Sequence, residues 1–279
     1  MKGKKMSLSL EHLQEWNSSI SNVLKSLNTP ELPSTLINAI NTLIYTESMI
    51  VCLEKKGLPP ILLASEGVPL LKESLLLDRY FTMIYLIDPF CLAVQNGLSE
   101  GFYHITDIAP DDFLDSEYYK SFYVKSDTKE DCYFIIDINP ETKISICIYH
   151  NKHDYSYSRQ EIALARSAYP LIKELALMAW KTSEHSATSK ENSEDKSLSE
   201  QIEASFNKFG DGILTTRERE VAHLILRGHS SKSAARELSI SPGTVQEHRK
   251  KTYLKLEISS QAELFSFFID YISSNGTLK

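Results

Sequence analysis

Between Ser241 and Lys255 the chain reads SPGTVQEHRKKTYLK, a run of side chains suited to a polyanion. Wound as a helix, it turns Thr244, Gln246, Glu247, His248, Arg249, Lys250 and Lys251 outward, with Lys255 one turn later. A glutamine amide can hold adenine in a bidentate way, an arginine can hold guanine, and a lysine pairs with phosphate. Ser241 caps such a helix and Pro242 fits its first position, where a missing N–H costs nothing. The free N–H groups at that end favour an anion. Lys232 adds a cation on the preceding segment. A basic helix face that is merely solvated has the same composition, so these residues alone leave the two readings balanced.

A second set lies further forward. Tyr80–Phe90 reads YFTMIYLIDPF, and Gly101–Tyr123 is rich in aromatic and acidic residues. Tyr103 and Phe113 could line a pocket for a small organic ligand. Tyr118, Tyr119, Phe122 and Tyr123 could line the same pocket. Asp88-Pro89 has the form of an ordinary helix start, and the aromatics that of core residues with polar tips. His150-x-x-His153 beside Asp154 has some look of a metal site, but a strand end and a loop are a poor scaffold for one. No metal and no cofactor are expected. With no glycine-rich phosphate loop and no Gly-x-Ser-x-Gly motif, no enzyme is expected either.

These residues need elements to hold them. Leu8–Leu27 has the spacing of an amphipathic helix with Ser7 as its cap, and a second helix starts near Ser34 after Pro30 and Pro33. Strands are expected at Ser48–Glu54, Pro60–Ala64, Gly101–Thr106, Cys132–Ile138 and Lys143–Tyr149, the last two joined by the turn Asn139-Pro140-Glu141-Thr142. Helices are expected at Leu70–Leu77, Arg79–Leu86, Asp88–Asn96, Asp111–Val124 and Ser158–Lys181, the last with a kink at Pro170. The fold class is therefore α+β over residues 1–181, an antiparallel sheet flanked by helices. Residues 182–197 hold one apolar side chain, Ala187, too little to offset the entropy of ordering them. Residues 182–210 then form a linker ending in a short helix through Leu198, Ile202, Phe206 and Phe209.

Residues 211–279 have helix signals only. Thr215 and Glu218 form a capping box, Gly228 closes that helix, and Ser230 or Ser231 opens the next. Ser239-Ile240-Ser241 is a tight turn into the basic helix, and a fourth helix starts near Ser260. Helix, tight turn, helix is the helix-turn-helix arrangement, here inside an all-α four-helix unit.

The stretch Leu214–Ile269 resembles the LuxR-type (GerE-like) helix-turn-helix family over 56 residues without a gap. The resemblance rests on Leu-Thr-x-Arg-Glu-Arg-Glu-Val, Arg-Gly-His-Ser-x-Lys, Ile-Ser-Pro-x-Thr-Val, Gln-Glu-His-Arg and Lys-Leu-x-Ile-x-Ser-x-x-Glu-Leu. It implies a unit that binds double-stranded DNA, the third helix entering the groove and the fourth often joining two copies. Leu264, Phe265, Phe267 and Phe268 suit such a homodimer contact or a core. Three positions depart from the family pattern: Gln246 replaces a basic residue, Ser233 a glutamate and Ser239 a glycine. The first should alter base preference. In front, Tyr80…Asp88-Pro89 is similar to autoinducer-binding domains, where the aspartate bonds a lactone amide; the resemblance implies Asp88 as that ligand contact, with Tyr85 or Tyr80 as the nearby tyrosine. The tryptophans that accompany it there have no counterpart, since Trp16 and Trp180 lie elsewhere. The element order also resembles GAF and PAS sensor domains. The function implied is sequence-specific transcription regulation under small-molecule control. The alternative is a response-regulator-like or constitutively dimeric regulator.

The charge distribution agrees. Residues 1–182, 183–210 and 211–279 have net charges of −6, −3 and +2, so only the last segment attracts a polyanion. No apolar run reaches the ~18 residues of a membrane span, and no secretory leader is evident. Cys52, Cys91, Cys132 and Cys147 sit singly in apolar stretches, as buried thiols in a reducing cytoplasm do.

Overall fold

β-Branched and aromatic residues alternate along five short runs, and each forms a strand. In a computed structural model that describes residues 10–68, 80–81, 84–152, 154–184 and 204–274, they build one antiparallel sheet. The strands are β1 (Ser48–Lys55), β2 (Ile61–Glu66), β3 (Gly101–His104), β4 (Asp131–Asn139) and β5 (Thr142–Tyr149), in the order β2-β1-β5-β4-β3. Glu141 N–H donates to Asn139 Oδ1 at 3.0 Å, closing the β4–β5 hairpin at the expected turn.

The period of two decides what each face does. Met49, Leu53, Cys132, Phe134, Ile136, Ile144, Ile146 and Ile148 point to one side. There they bury against α1 (Leu10–Ser26), α2 (Leu32–Asn41) and α4 (Arg159–Glu184), with Pro170 inside α4. The alternate residues line a cavity on the other side, described below. The edge of that side is closed by Ile84–Ile87, a 3₁₀ turn, and α3 (Pro89–Gln95).

Two expectations need correction. Asp111–Val124 is not one helix: it breaks into a 3₁₀ turn at Phe113–Asp115, one α-turn at Glu117–Tyr119 and a π-helical turn at Lys120–Val124. Ser116 is the cause. Its backbone is extended (ψ 152°) and its Oγ accepts the Tyr119 N–H at 3.1 Å, a cap where continuation was expected. The strand from Gly101 stops at His104, whose ring Nδ1 accepts the Thr106 N–H and caps the turn Ile105–Ile108. The expected helix Leu70–Leu77, the Ser7 cap, Arg79, His153, most of the 182–197 linker, Leu198 and Ile202 lie outside the described residues.

The C-terminal part follows its caps. Residues 204–208 are helical, then come α5 (Thr216–Leu226), α6 (Ser231–Leu238), α7 (Pro242–Lys255) and α8 (Gln261–Ser273). Phe206, Phe209, Leu264, Phe268 and Tyr271 fill the space between them. Ser239 closes α6 in the left-handed conformation, φ 54° and ψ 43°. A Cβ is strained there, by about 1–2 kcal/mol, and the family's glycine has none. Ser239→Gly is therefore expected to stabilise the protein by about 0.5–1 kcal/mol after the extra freedom glycine gives the unfolded chain. Urea unfolding checks this: an unchanged or lower midpoint contradicts it.

Candidate nucleic-acid interface and buried cavity

α7 is positioned as the sequence requires. Ser241 Oγ accepts the Thr244 N–H at 3.1 Å, and Pro242 follows it. Val245 and Thr252 are the buried residues of α7, with Leu256 buried just after it. Thr244, Gln246, Glu247, Lys250 and Lys251 are exposed on the same helix, and Lys232 is exposed on α6. Among the described residues no partner is seen for Lys250 or Lys251. A polar, cationic helix face with free side chains can enter a major groove.

Two of the expected contact residues have other work. The Arg249 guanidinium lies over the Tyr253 ring at 5.3 Å, donates to Tyr253 Oη at 2.9 Å and reaches Gln261 Oε1 at 3.3 Å. It ties α7 to the start of α8. Lys255 Nζ pairs with Glu218 Oε2 at 2.7 Å. That carboxylate is buried and also accepts the Thr215 N–H at 2.8 Å. Burial pushes the Glu218 carboxyl up, but Lys255 and Thr215 more than offset this and hold it below the usual range. Lys255 thus clamps the basic helix onto α5. His248 is half-buried.

The helix-turn-helix rests on the sheet domain. Asp111 accepts from Ser230 Oγ at 3.0 Å and from Ser230 N–H at 3.4 Å, at the N-terminus of α6. Arg236 stands 3.7 Å away. Hydrogen bonds from Ser233 and Ser230 hold the Asp111 carboxyl below its usual range. Gly228 (φ 85°) packs against Phe113 and Ser116, and a Cβ there would meet the Ser116 Cβ at 3.4 Å. Phe265 of α8 meets Phe122 with ring centroids 6.3 Å apart. Phe265 is therefore buried, against the sheet domain, and Leu264 and Phe268 are core.

Phe122 also lines the cavity on the inner face of the sheet, whose volume is about 170 Å³. Its floor is Ile50, Cys52 and Glu54 of β1, Ser145, Cys147 and Tyr149 of β5, and Asp131 and Tyr133 of β4. Its walls include Tyr80, Phe81, Asp88, Phe90, Tyr118 and Tyr123. Asp88 caps α3, its Oδ1 accepting the Phe90 N–H at 2.8 Å, while Oδ2 takes the Tyr80 hydroxyl. Asp131 Oδ2 accepts from Tyr123 Oη at 2.8 Å and from Tyr133 Oη at 2.6 Å. Glu54 Oε1 accepts from Ser145 Oγ at 2.8 Å. Burial raises all three carboxyls, Glu54 and Asp131 to about 7, against the hydrogen bonds that favour their anions.

Of the front-domain residues singled out, Tyr80, Asp88, Tyr118, Phe122 and Tyr123 meet at the cavity. Tyr85 and Phe113 are buried elsewhere, Phe113 among Tyr118, Tyr119 and Tyr123. Tyr103 lies on β3, its hydroxyl donating to the Ser99 carbonyl at 3.0 Å. Asp88 starts α3 as its cap through Oδ1, and it lines the cavity with Oδ2 on the Tyr80 hydroxyl. Glu54 and Asp131 were missed. Their signal was parity: Glu54 shares a strand face with Ile50 and Cys52, an acid where an apolar residue belongs. The His150 ring lies tilted against Tyr155 with centroids 3.8 Å apart, and no metal-ligand cluster occurs among the described residues.

Comparison with known proteins places these features. Residues 212–268 match the bacterial regulatory proteins of the luxR family. An HTH-type transcriptional regulator from the exeN 3′ region of Aeromonas salmonicida is 31% identical over 186 residues, 66% of this chain and 94% of that one. The transcriptional regulatory protein UhpA of Escherichia coli K12 is 45% identical over 51 residues, 18% of this chain and 26% of its own length. The crystal structure of the VqsR LBD domain from Pseudomonas aeruginosa has the fold of the front part, with TM-score 0.53 and 20% identity over 60% of this chain and 96% of that domain. With a capped, cationic third helix and a relative matched over nearly its whole length, the chain belongs to the luxR family of DNA-binding bacterial transcription regulators.

Proposed function

We propose that this regulator reads a specific duplex sequence through α7 under the control of a small molecule held in the sheet-domain cavity. The division is residues 1–181 as sensor, 182–210 as linker and 211–279 as DNA-binding unit, acting in the cytoplasm as a homodimer. The observation that carries the reading is Phe122, one side chain that walls the cavity and touches Phe265 of the DNA-binding unit. A ligand that changes the packing of the Lys120–Val124 turn changes that contact, and so shifts the balance between docked and released helix-turn-helix units. Docking in turn sets the Asp111 carboxylate at the N-terminus of α6. The first helix of a helix-turn-helix crosses the DNA backbone, so a carboxylate there competes with phosphate. The docked state is thus the one with lower DNA affinity. The likeness in fold to the VqsR LBD domain supports a ligand-holding role for the front part.

The contacts to DNA are Gln246 and Thr244 at base edges, with Lys250, Lys251, Lys232 and the Ser241 end of α7 at phosphates. Arg249 and Lys255 hold α7 in place. A response-regulator reading finds no support, since a receiver has a parallel sheet and this one is antiparallel throughout. Selection from a random duplex pool at about 0.15 M salt tests the proposal. Two half-sites spaced by about one DNA turn are expected. A pool that stays random overturns sequence reading by α7.

A further inference from the structure

We infer that Glu247 fixes one base pair of each half-site as C·G, its carboxylate accepting from the cytosine amino group in the major groove. This rests on the reading of duplex DNA by α7 above and names a base that α7 reads. Successive residues of an α-helix turn by about 100°. Val245 and Thr252 are buried, so the side of α7 opposite them is the one that meets a groove. Gly243 and Glu247 lie on that side, with Lys250 one turn on, and all three are exposed. Gln246 and Lys251 stand on its two flanks. Glu247 is therefore near the centre of the presented face and not at its edge.

The fold gives this carboxylate no other work. Lys250 and Lys251 follow it at the spacing where glutamate and lysine pair along a helix. Yet among the described residues Glu247 has no ion pair and no hydrogen bond. A carboxylate on a DNA-facing surface repels phosphate, so it weakens binding to any duplex that offers it no donor. A carboxylate only accepts, and the major groove offers it two base donors, cytosine N4 and adenine N6. Adenine sets its N7 acceptor beside the amino group, a pattern that suits the donor and acceptor of the Gln246 amide. Cytosine presents the amino group alone, and Glu247 takes it. Gly243 favours the approach. Its backbone is not left-handed, and a Cβ there would meet only Ser241 Oγ, at 3.7 Å. Glycine weakens a helix relative to alanine, and no neighbour requires it here. One turn before Glu247, bare backbone lets the edge of the groove come closer.

The test uses the full chain and Glu247→Gln, which keeps the size of the side chain and removes its charge. Each protein selects from a random duplex pool near about 0.15 M salt. Each is then titrated with the parent's selected duplex, with that duplex carrying T·A in place of the C·G pair, and with a duplex of random sequence. The parent is expected to select C·G at one position of each half-site and to lose about tenfold or more in affinity on the exchange. Glu247→Gln is expected to select A·T at that position alone, and to bind the random duplex more tightly than the parent does. A carboxylate that is merely solvated near the DNA would change random-duplex affinity and leave the selected sequence as it was. The same sequence selected by both proteins, or a random-duplex affinity that Glu247→Gln leaves unchanged, overturns the Glu247 assignment and leaves the reading by α7 standing. Pools that stay random with both proteins overturn both.

Discussion

Replacing Lys250 and Lys251 together with alanine is expected to weaken duplex binding by about 10- to 100-fold near 0.15 M salt and to lower the slope of log affinity against log salt by about two. Both ammonium groups are exposed on α7. Their loss therefore removes phosphate contacts without removing packing. Each phosphate contact releases counterions and contributes about 0.9 to that slope. Gln246→Ala should behave differently. It should leave the slope nearly unchanged and relax preference at one base pair, by about 1–3 kcal/mol. Arg249→Ala would be harder to read, since that guanidinium braces Tyr253 and Gln261. Titration of a selected duplex at several salt concentrations decides. A double variant with the parent's affinity and slope would remove α7 from the interface.

Asp111→Arg is expected to act in the opposite sense, tightening duplex binding of the ligand-free protein about tenfold, or ~1.4 kcal/mol. In the docked state Asp111 accepts two hydrogen bonds from Ser230 and faces Arg236. An arginine there meets a like charge and loses both bonds, so docking weakens. The α6 N-terminus is then open to a phosphate, and a cation stands beside it. Asp111 itself is part-exposed, so the sheet domain keeps its core. Unchanged or weaker DNA binding, with the circular dichroism of the parent, would show that docking does not lower DNA affinity.

Local signals carried most of the fold. Caps at Thr215, Ser230, Ser241 and Ser260 are short-range devices, and each helix of the C-terminal unit starts where its cap predicts. The β4–β5 hairpin was legible for the same reason: alternation and turn sit within a few residues. The segment 111–124 was misread because its acidic and aromatic residues suit a helix, whereas Ser116 caps a new turn in the middle of it. Nothing local distinguishes a serine that continues a helix from one that starts the next. The cavity was half legible. Tyr80 and Asp88 share one short motif, but Asp131 and Glu54 reach the same space only after β1, β5 and β4 pair in register. The pairing of Lys255 with Glu218 joins residues far apart in the chain, so the sequence shows the charge and not the partner. The burial of Phe265 against Phe122 is a contact between residues far apart in the chain, which no periodicity reveals.

The claim that cavity and DNA interface are linked is tested most directly by Phe122→Ala, measured as affinity for the selected duplex. Phe122 touches Phe265 and the cavity, and it is no part of α7. Removing its ring weakens docking from the sensor side. The expected result is a tighter complex, by fivefold or more, with the secondary structure of the parent retained. An affinity equal to the parent's, in a variant that is folded, would mean that the cavity wall and the DNA-binding unit are in contact without being coupled.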